Sequence, residues 1–226
     1  YGLTETSPVV SVNGPGKNKI GSVGQPIHGV DVSIAEDGEI LVRGAPIMKG
    51  YYKDETATQA VMDANGYFHT GDIGHLDEEG YLFVTDRKKE LIVTSGGKKI
   101  PPQTLENLLQ ESPWIEQACV VGEGQKFLAA IVVPSKANLR KHFESSGRSF
   151  PDDATMIGSP ETYALVQEAI DRANHQLAAY ETIKKFVVSM DDFTVDNGRL
   201  TPTLKLKRKN ILEAYVKEID SIYSGT

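Results

Sequence analysis

Residues 86–102, DRKKELIVTSGGKKIPP, separate two regions of the chain that differ in their local pattern. In the region before them, short apolar runs follow glycine-containing turns, as Glu39–Arg43 follows Asp37-Gly38. Such pairs are typical of β-hairpins, so this region is predicted to be antiparallel or barrel-like. In the region after them, Pro101-Pro102 leads into leucines at helical spacing. We therefore expect one domain to end at residue 87 and another to cover residues 88–226.

The second region alternates helix-like and strand-like segments. Its predicted elements are a helix after Pro102, a hairpin of Ala118–Val121 and Phe127–Val133, a helix opened by Ser159-Pro160, a strand at Lys185–Val188 and a helix at Arg208–Tyr223. The apolar stripe of the second helix continues as far as Leu177. Residues 140–157 are polar, and we interpret them as a short helix and an exposed loop. These patterns favour an α+β domain.

Composition argues against several classes of protein. A net charge of -7 disfavours a general nucleic-acid binder, which usually has a dominant basic patch. The single cysteine, Cys119, cannot form an internal disulfide, and its apolar neighbours predict a buried, inert thiol. No apolar run approaches the ~18 residues that would span a bilayer. Because the sequence starts at Tyr1 rather than at methionine, we expect it to be part of a longer protein.

Four segments have side chains suited to binding phosphate, ribose or a metal ion. They are Tyr1–Thr6 (YGLTET), Tyr67–Asp72 (YFHTGD), residues 86–102 and Thr201–Arg208 (TPTLKLKR). In the first segment, Gly2 would let a ligand approach the backbone, and threonine and glutamate offer oxygens to phosphate and magnesium. Asp72 can accept both hydroxyls of a ribose, although an Asx turn at the end of a strand explains it equally well. His69 has no visible metal partner and is expected to be packed or solvated.

The last segment carries Lys205, whose ammonium could contact a carboxylate or a phosphate as a point charge. Taken alone, it is equally consistent with a solvated loop lysine. Likewise, Gly96-Gly97 would permit a tight loop that admits a narrow ligand, or would simply form a hairpin turn. The order of the four segments along the chain is what favours a functional interpretation.

That order resembles the C-terminal part of the AMP-forming acyl-activating enzymes. The matching motifs are Tyr1–Glu5 for Tyr-Gly-x-Thr-Glu, Gly38–Gly44 (GEILVRG) for Gly-Glu-Leu-x-x-x-Gly, His69–Asp72 for Thr-Gly-Asp, and residues 86–102 for the hinge and glycine loop. The hinge segment and LTPTLKLKR are most similar to the long-chain fatty-acid CoA ligases. Most other members have glycine before the last-motif lysine, where this chain has Leu204, so Lys207 competes with Lys205 for that position.

The resemblance implies a nucleotide site in the first region. Its expected members are Tyr1 near the adenine, Thr4 on the phosphates, Glu5 on Mg²⁺, Asp72 and Arg87 on the ribose, and Val84 against the base. In the second region, Lys205 would reach the substrate carboxylate and the α-phosphate. Gly96 and Gly97 would line the path of the CoA pantetheine arm, and Lys89 would be the hinge between the two domains.

The resemblance also implies a fold and a reaction. Residues 1–87 would end a large N-terminal domain, and residues 88–226 would form a small, mobile α+β domain with a mixed sheet and flanking helices. The substrates would be ATP, a long-chain fatty acid and CoA, with no nucleic acid involved and the oligomeric state left open. The phosphate loop and acyl pocket of family members precede Tyr1, so this polypeptide alone is expected to be inactive.

Two alternatives remain from the sequence. One is an adenylate-forming ligase for another acid or for a carrier-protein thiol, and the other is a catalytically silent interaction module. A cytoplasmic location is expected, with peripheral attachment to the inner face of a membrane as an open alternative. The terminal helix has an apolar face, but core packing explains that face better than a membrane anchor.

Overall fold

In the computed structural model, which describes residues 1–224, the chain forms two units, Tyr1–Leu91 and Ile92–Thr226. The predicted boundary after residue 87 lies within the first unit. The assignment of the two parts to a large and a small domain of a longer protein stays a prediction.

The first unit is built around an antiparallel sheet. Its elements are β1 (Ser11–Val12), β2 (Gln25–Pro26), β3 (Val30–Ile34), β4 (Glu39–Gly44), α1 (Glu55–Val61), β5 (Phe68–Leu76) and β6 (Leu82–Arg87). Strands β3 to β6 pair in the linear order β3-β4-β5-β6, and all three pairings are antiparallel. Val10, Ile40, Val42 and Leu82 are fully buried and form the centre of the core. The antiparallel prediction is therefore confirmed, with an open sheet rather than a closed barrel.

The second unit has a mixed sheet flanked by helices. Its elements are β7 (Ile92–Val93), β8 (Lys99–Ile100), α2 (Pro102–Gln110), β9 (Ile115–Val121), β10 (Leu128–Pro134), α3 (Lys136–Ser145), α4 (Asp153–Ile157), α5 (Pro160–Asn174), β11 (Ile183–Val188), α6 (Arg208–Ala214) and α7 (Val216–Tyr223). The sheet order is β11-β10-β9. Because β10 pairs antiparallel with β9 and parallel with β11, the sheet is mixed, as predicted.

The central strand β10 contributes to two separate cores. All seven of its residues are buried. Leu128, Ala130 and Val132 belong to one hydrophobic cluster, and Ala129, Ile131 and Val133 belong to another. Since successive side chains of a strand point to opposite faces, the two clusters lie on opposite faces of the sheet.

Local signals place the helices on this sheet. Pro102 occupies the first turn of α2, and Leu105 and Leu109 on the same helix are buried. Ser159 caps α5, because its hydroxyl accepts a hydrogen bond from the Thr162 N–H at 3.3 Å. Both predicted helix starts are confirmed.

Three local predictions need correction. The helix expected to continue to Leu177 is shorter than predicted, because α5 ends at Asn174. The polar segment 140–157 contains the greater part of α3 and all of α4. The single helix predicted at Arg208–Tyr223 is interrupted at Tyr215, whose φ of -113° and ψ of 22° are not helical. Tyr215 is 8% exposed and its hydroxyl hydrogen-bonds Ser189, so tertiary contacts override the helical pattern there.

Cys119 is fully buried on β9, as predicted. Burial raises the pKa of its thiol to about 12, so the reactive thiolate is scarce at neutral pH. Across residues 1–224, no helix combines the length and apolar character needed to cross a membrane.

Candidate functional site

Three residues that are far apart in the sequence meet at one carboxylate in the first unit. The Tyr1 hydroxyl donates to Asp72 Oδ2 at 2.6 Å, and Arg87 Nε lies 2.7 Å from Asp72 Oδ1. The Asp72 residue is 4% exposed. Burial, followed by the hydrogen bond to Asp72, raises the pKa of Tyr1 well above its usual value, so its hydroxyl stays protonated. The sequence prediction had assigned all three residues to the nucleotide.

Strand pairing explains this convergence. Asp72 on β5 is the register partner of Arg87 at the end of β6. The sequence placed Asp72 at the end of a strand or turn, but it lies in the middle of β5. Along β5, Phe68, Thr70 and Asp72 alternate with more exposed neighbours and are buried on the same face. The Asx-turn alternative is therefore wrong, and the carboxylate is held by the sheet.

Val84, predicted to pack against the base, is a partly buried member of the same core cluster as Tyr1. It pairs with Gly74 on the neighbouring strand. Its position is consistent with both an adenine contact and the ordinary core role, and its assignment to the base stays a prediction.

Thr4 and Glu5 lie on a short 3-10 turn, Thr4–Thr6. The buried Thr6 hydroxyl organises this turn, because it lies 2.9 Å from the Leu3 N–H and 3.0 Å from the Pro8 carbonyl oxygen. A Cβ atom on Gly2 would lie 1.6 Å from the Pro8 oxygen. Gly2 therefore lets the segment fold onto itself, which corrects the expectation that it admits a ligand.

The exposed atoms of this turn fit a phosphate and a divalent cation. The Thr4 side chain is exposed, and its hydroxyl has no hydrogen-bond partner among the described residues. Glu5 Oε1 accepts a hydrogen bond from the Tyr51 hydroxyl at 3.1 Å, which leaves the second carboxylate oxygen for another ligand. No group of three or more metal-ligating side chains occurs within residues 1–224. A single carboxylate is the donor set expected when substrate phosphates and water complete the shell of Mg²⁺.

In the second unit, Gly96 and Gly97 lie at the turn between β7 and β8. Gly97 has a φ of 75°, and the Thr94 carbonyl accepts its N–H at 2.8 Å. A Cβ atom at Gly97 would meet nothing within 4 Å. Conformation rather than crowding thus requires glycine there, and the turn is open to a ligand.

Lys205 lies on a second loop of the same unit. The Leu204 N–H donates to the Thr201 carbonyl at 2.8 Å, which closes a turn with Pro202 in its second position. The Lys205 N–H donates to Thr201 Oγ1 at 3.0 Å, and an isolated bridge joins Leu200 to Leu206 below the turn. The Lys205 side chain is exposed and forms no ion pair within the described part of the chain.

Leu204 has a left-handed backbone conformation, with a φ of 60° and 71% exposure. Loops of this length usually place glycine at that position, because other residues are strained there. The structure thus gives a conformational reason for the glycine that most acyl-activating enzymes have before this lysine. It keeps Lys205, rather than Lys207, next to the turn, although the catalytic assignment stays a prediction.

The two loops of the second unit are supported from opposite faces of its sheet. Ile92 and Ile100, on β7 and β8, belong to the cluster that contains Ala130. Leu200, at the base of the Lys205 loop, belongs to the cluster that contains Ile131. Ala130 and Ile131 are consecutive on β10, so their side chains lie on opposite faces of the sheet. The glycine turn therefore packs on one face of β10, and the base of the Lys205 loop packs on the other.

Two family models match the chain. The model of the AMP-binding enzyme C-terminal domain matches residues 89–226, and that of the AMP-binding enzyme matches residues 1–52. The chain belongs to the AMP-binding enzymes. The predicted membership in the acyl-activating superfamily is confirmed.

The relatives of this chain include long-chain fatty-acid ligases. Long-chain-fatty-acid–CoA ligase FadD15 of Mycobacterium bovis is 41% identical over 228 residues, which cover 99% of this chain and 37% of the relative. Long-chain-fatty-acid–[acyl-carrier-protein] ligase AEE15 of Arabidopsis thaliana is 33% identical, with coverage of 99% of this chain and 32% of the relative. The chain therefore spans about a third of the length of these curated relatives.

Solved structures share the fold. O-succinylbenzoate CoA synthetase from Bacillus subtilis in complex with AMP has a TM-score of 0.65 and 30% identity, and the match covers 92% of this chain and 39% of that one. The A domain of a carboxylic acid reductase from Segniliparus rugosus, in complex with AMP and a co-purified carboxylic acid, has a TM-score of 0.73 and covers 100% of this chain and 35% of that one. At 22% identity, the second likeness shows the fold alone. The predicted α+β class is confirmed.

The sequence did not reveal a charged cluster that lies next to the predicted hinge residue, Lys89. Glu39 is 4% exposed, and its carboxylate lies 2.8 Å from Lys88 Nζ, 2.9 Å from His69 Nδ1 and 3.0 Å from the Gly71 nitrogen. Lys88 Nζ also lies 2.8 Å from Asp37 Oδ2. The Gly-Glu motif gave a signal for Glu39, but only the fold brings Lys88 to it.

The opposite charges of this cluster stabilise the ionised forms of Glu39 and Lys88. Burial by itself raises the pKa of Glu39, but hydrogen bonds from Lys88, His69 and Gly71 outweigh burial and hold the pKa below its usual value. Hydrogen bonds to Asp37 and then Glu39 raise the pKa of Lys88. Lys88 is thus fixed to the first unit. Lys89, the predicted hinge, is the exposed residue that follows it on the 3-10 turn Lys88–Glu90.

Proposed function

We propose that this chain is the C-terminal part of an AMP-forming long-chain fatty-acid CoA ligase. The observation that carries the proposal is the support of the glycine turn and the Lys205 loop from opposite faces of one sheet. A ligase of this kind needs one loop to form an acyl-adenylate and another loop to guide the acyl group to a thiol. A small domain that supports one loop from each face of its sheet can exchange the two loops at the active site by rotating about a hinge.

In the first half-reaction, a carboxylate oxygen of the fatty acid attacks the α-phosphorus of ATP. A carbon–oxygen–phosphorus linkage forms, the bond to the β-phosphate breaks, and pyrophosphate leaves. The Lys205 ammonium stabilises the negative charge that builds on the α-phosphate oxygens. When bound, Mg²⁺ supplies Lewis-acid stabilisation of the phosphates, and Glu5 would hold it, with the Thr4 hydroxyl on a phosphate oxygen.

The nucleotide is oriented by the Asp72 carboxylate and Arg87. The Arg87 side chain covers one Asp72 oxygen but is itself 58% exposed. It can therefore swing away without unpacking the core, and ribose hydroxyls can take its place on the carboxylate. The Tyr1 hydroxyl donates to the other oxygen and keeps it in position.

In the second half-reaction, the sulfur of CoA attacks the acyl carbonyl carbon. A carbon–sulfur bond forms, the carbon–oxygen bond to AMP breaks, and the thiol proton passes to solvent. The open turn at Gly96 and Gly97 lines the approach of the pantetheine arm. Lys89 is the pivot that brings this turn forward, and Lys88 holds the chain on the other side of the pivot.

The decisive experiment changes Lys205 to alanine in the full-length ligase. Because the ammonium acts only on adenylate formation, we expect ATP–pyrophosphate exchange with a long-chain fatty acid to fall by about 100-fold or more. Thioester formation from supplied acyl-AMP and CoA should stay near the wild-type rate. Lys207→Ala is the matched control, because Lys207 is the competing lysine. An equal loss in both half-reactions would refute the proposed role of Lys205.

The acceptor is the open point of the proposal. The Arabidopsis thaliana relative is named as a ligase for acyl carrier protein rather than for CoA. Supplying acyl-AMP with either CoA or the phosphopantetheinylated carrier protein distinguishes the two, since each acceptor presents the same thiol on a different body. Peripheral membrane attachment remains a prediction, to be tested by co-sedimentation of the full-length protein with anionic vesicles.

A further inference from the structure

An ion pair between a fully buried glutamate and a largely buried arginine follows the Lys205 loop, and the proposed reaction does not use it. Glu106 on α2 is 0% exposed. Its two carboxylate oxygens each lie 2.7 Å from Arg208 Nη2. The sequence places Arg208 at the end of the Thr201–Arg208 segment and at the start of the last predicted helix, and nothing in that local pattern indicates that its side chain is largely buried.

The pair also satisfies the backbone of an edge strand. The Val120 N–H on β9 donates to Glu106 Oε1 at 2.7 Å, and the Val120 carbonyl accepts from Arg208 Nη1 at 3.1 Å. Strand β9 is at the edge of the sheet, so these Val120 groups have no neighbouring strand to pair with. The ion pair thus takes the place of that strand at Val120.

This location joins the two faces of the sheet. Glu106 lies on the helix that contributes Leu105 and Leu109 to the cluster beneath the glycine turn. Arg208 begins α6, which contributes Ile211 to the opposite cluster. The Glu106–Arg208 pair therefore forms a clasp that links the two layers around the edge of β9.

Arg208 lies three residues after Lys205, and the intervening residues are also tied down. Leu206 bridges to Leu200, and the Lys207 N–H donates to the Arg199 carbonyl at 2.8 Å. The segment from Leu206 to Arg208 is thus held in place by contacts at each of its residues. A shift of the guanidinium would be passed to the loop through only two residues.

Stability alone does not explain a buried pair of this kind. Removing two charges from water has a large free-energy cost, and well-packed apolar replacements are often as stable or more stable. The planar guanidinium fork, however, fixes the relative orientation of the groups that it joins. We therefore look for the function of this pair in the relative orientation that it imposes on the two segments.

We propose that Glu106 and Arg208 are positioning residues that hold the Lys205 loop in the orientation required for adenylate formation. This inference rests on the proposed function. Neither residue touches the substrate in this proposal, and each acts through the loop. Displacing a catalytic group by about 1 Å can cost about 100-fold in rate, so a small change at the clasp has a measurable effect.

The test uses two variants of the full-length ligase. Arg208→Lys keeps the charge but removes the fork, and Glu106→Leu with Arg208→Met replaces the pair by apolar side chains of similar size. The control is Lys209→Met, which removes an adjacent exposed cation that lies 3.9 Å from Glu213. Each variant is measured for its melting temperature, for ATP–pyrophosphate exchange with palmitate, and for thioester formation from palmitoyl-AMP and CoA.

If the proposal holds, both clasp variants stay folded and lose adenylate formation by about 10- to 100-fold in kcat, with little change in KM for ATP. Thioester formation stays within about twofold of wild type, and the control is normal in both half-reactions. A folded Arg208→Lys variant with normal adenylate formation would overturn the proposal. So would equal losses in both half-reactions, or failure of both clasp variants to fold, because either result indicates a purely structural pair.

Lys205→Ala, measured alongside, separates this inference from the proposed function. If that variant forms adenylate normally, the proposed role of Lys205 is wrong and the clasp has no catalytic group to position. If it is inactive in adenylate formation while the clasp variants are normal, only the positioning role is wrong.

Discussion

At position 204, glycine should give a more stable protein than alanine, which is the reverse of the usual order of these two residues. A residue with a Cβ atom at a φ of 60° carries a strain of about 1–2 kcal/mol, and alanine keeps that strain while glycine removes it. Glycine costs about 0.4–1 kcal/mol more than alanine, because it gives the unfolded chain more freedom. Both variants lose the same mostly exposed side chain beyond Cβ. Leu204→Gly should therefore be more stable than Leu204→Ala by about 0.8 kcal/mol, and by about 1.6 kcal/mol at most.

The single tryptophan, Trp114, makes this difference measurable, because it lies in the same unit as Leu204 and packs against its core. Urea unfolding followed by Trp114 fluorescence gives the free energy of that unit. The control pair is Lys209→Gly and Lys209→Ala on α6, where glycine should be the less stable by about 1 kcal/mol. If alanine is the more stable residue at both positions, the left-handed strain at Leu204 is refuted.

Two further predictions concern the hinge. Glu39→Gln should reduce the free energy of unfolding at pH 7 by about 1–3 kcal/mol, because Lys88 and the Gly71 N–H lose a charged acceptor. Since the folded-state pKa of Glu39 is lowered, its contribution is present above the unfolded pKa of about 4.3 and is lost as the pH falls through the folded-state pKa, so the difference from wild type should be smaller at about pH 3 than at pH 7. Urea titrations at both pH values, with the exposed Glu78→Gln as control, measure this, and a pH-independent difference would contradict it. Lys89→Pro should trap one conformer by fixing φ near -65°. One half-reaction of the full-length ligase should then fail while the other persists, and two normal half-reactions would exclude Lys89 as the pivot.

Local signals in the sequence were sufficient for much of the second unit. Pro102 and Ser159 each marked a helix start through the chemistry of unpaired backbone donors, and those signals act within one turn. The runs Ala118–Val121 and Phe127–Val133 marked a hairpin, because both are apolar and only a short turn separates them. The order of the family motifs supplied the mixed sheet, which depends on the long connection between β10 and β11.

Contacts between distant residues could not be predicted in the same way. Glu106 and Arg208 look like ordinary helix-surface charges, and only the fold brings them together at the Val120 backbone groups on the edge of β9. Lys88 and Glu39 each occur in a charged segment, and the register of β4 to β6 brings them together. Asp72 was expected at a strand end because glycine precedes it, whereas the strand continues past both residues.

The alternating sides of β10 have a consequence for protein engineering. Substitutions at Ala129, Ile131 and Val133 act on the layer below the lysine loop, whereas those at Leu128, Ala130 and Val132 act on the layer below the glycine turn. Libraries that vary only odd-numbered or only even-numbered positions would therefore repack one layer at a time. Parity along a single seven-residue strand thus gives a simple rule for testing, under the proposed function, whether each layer affects one half-reaction.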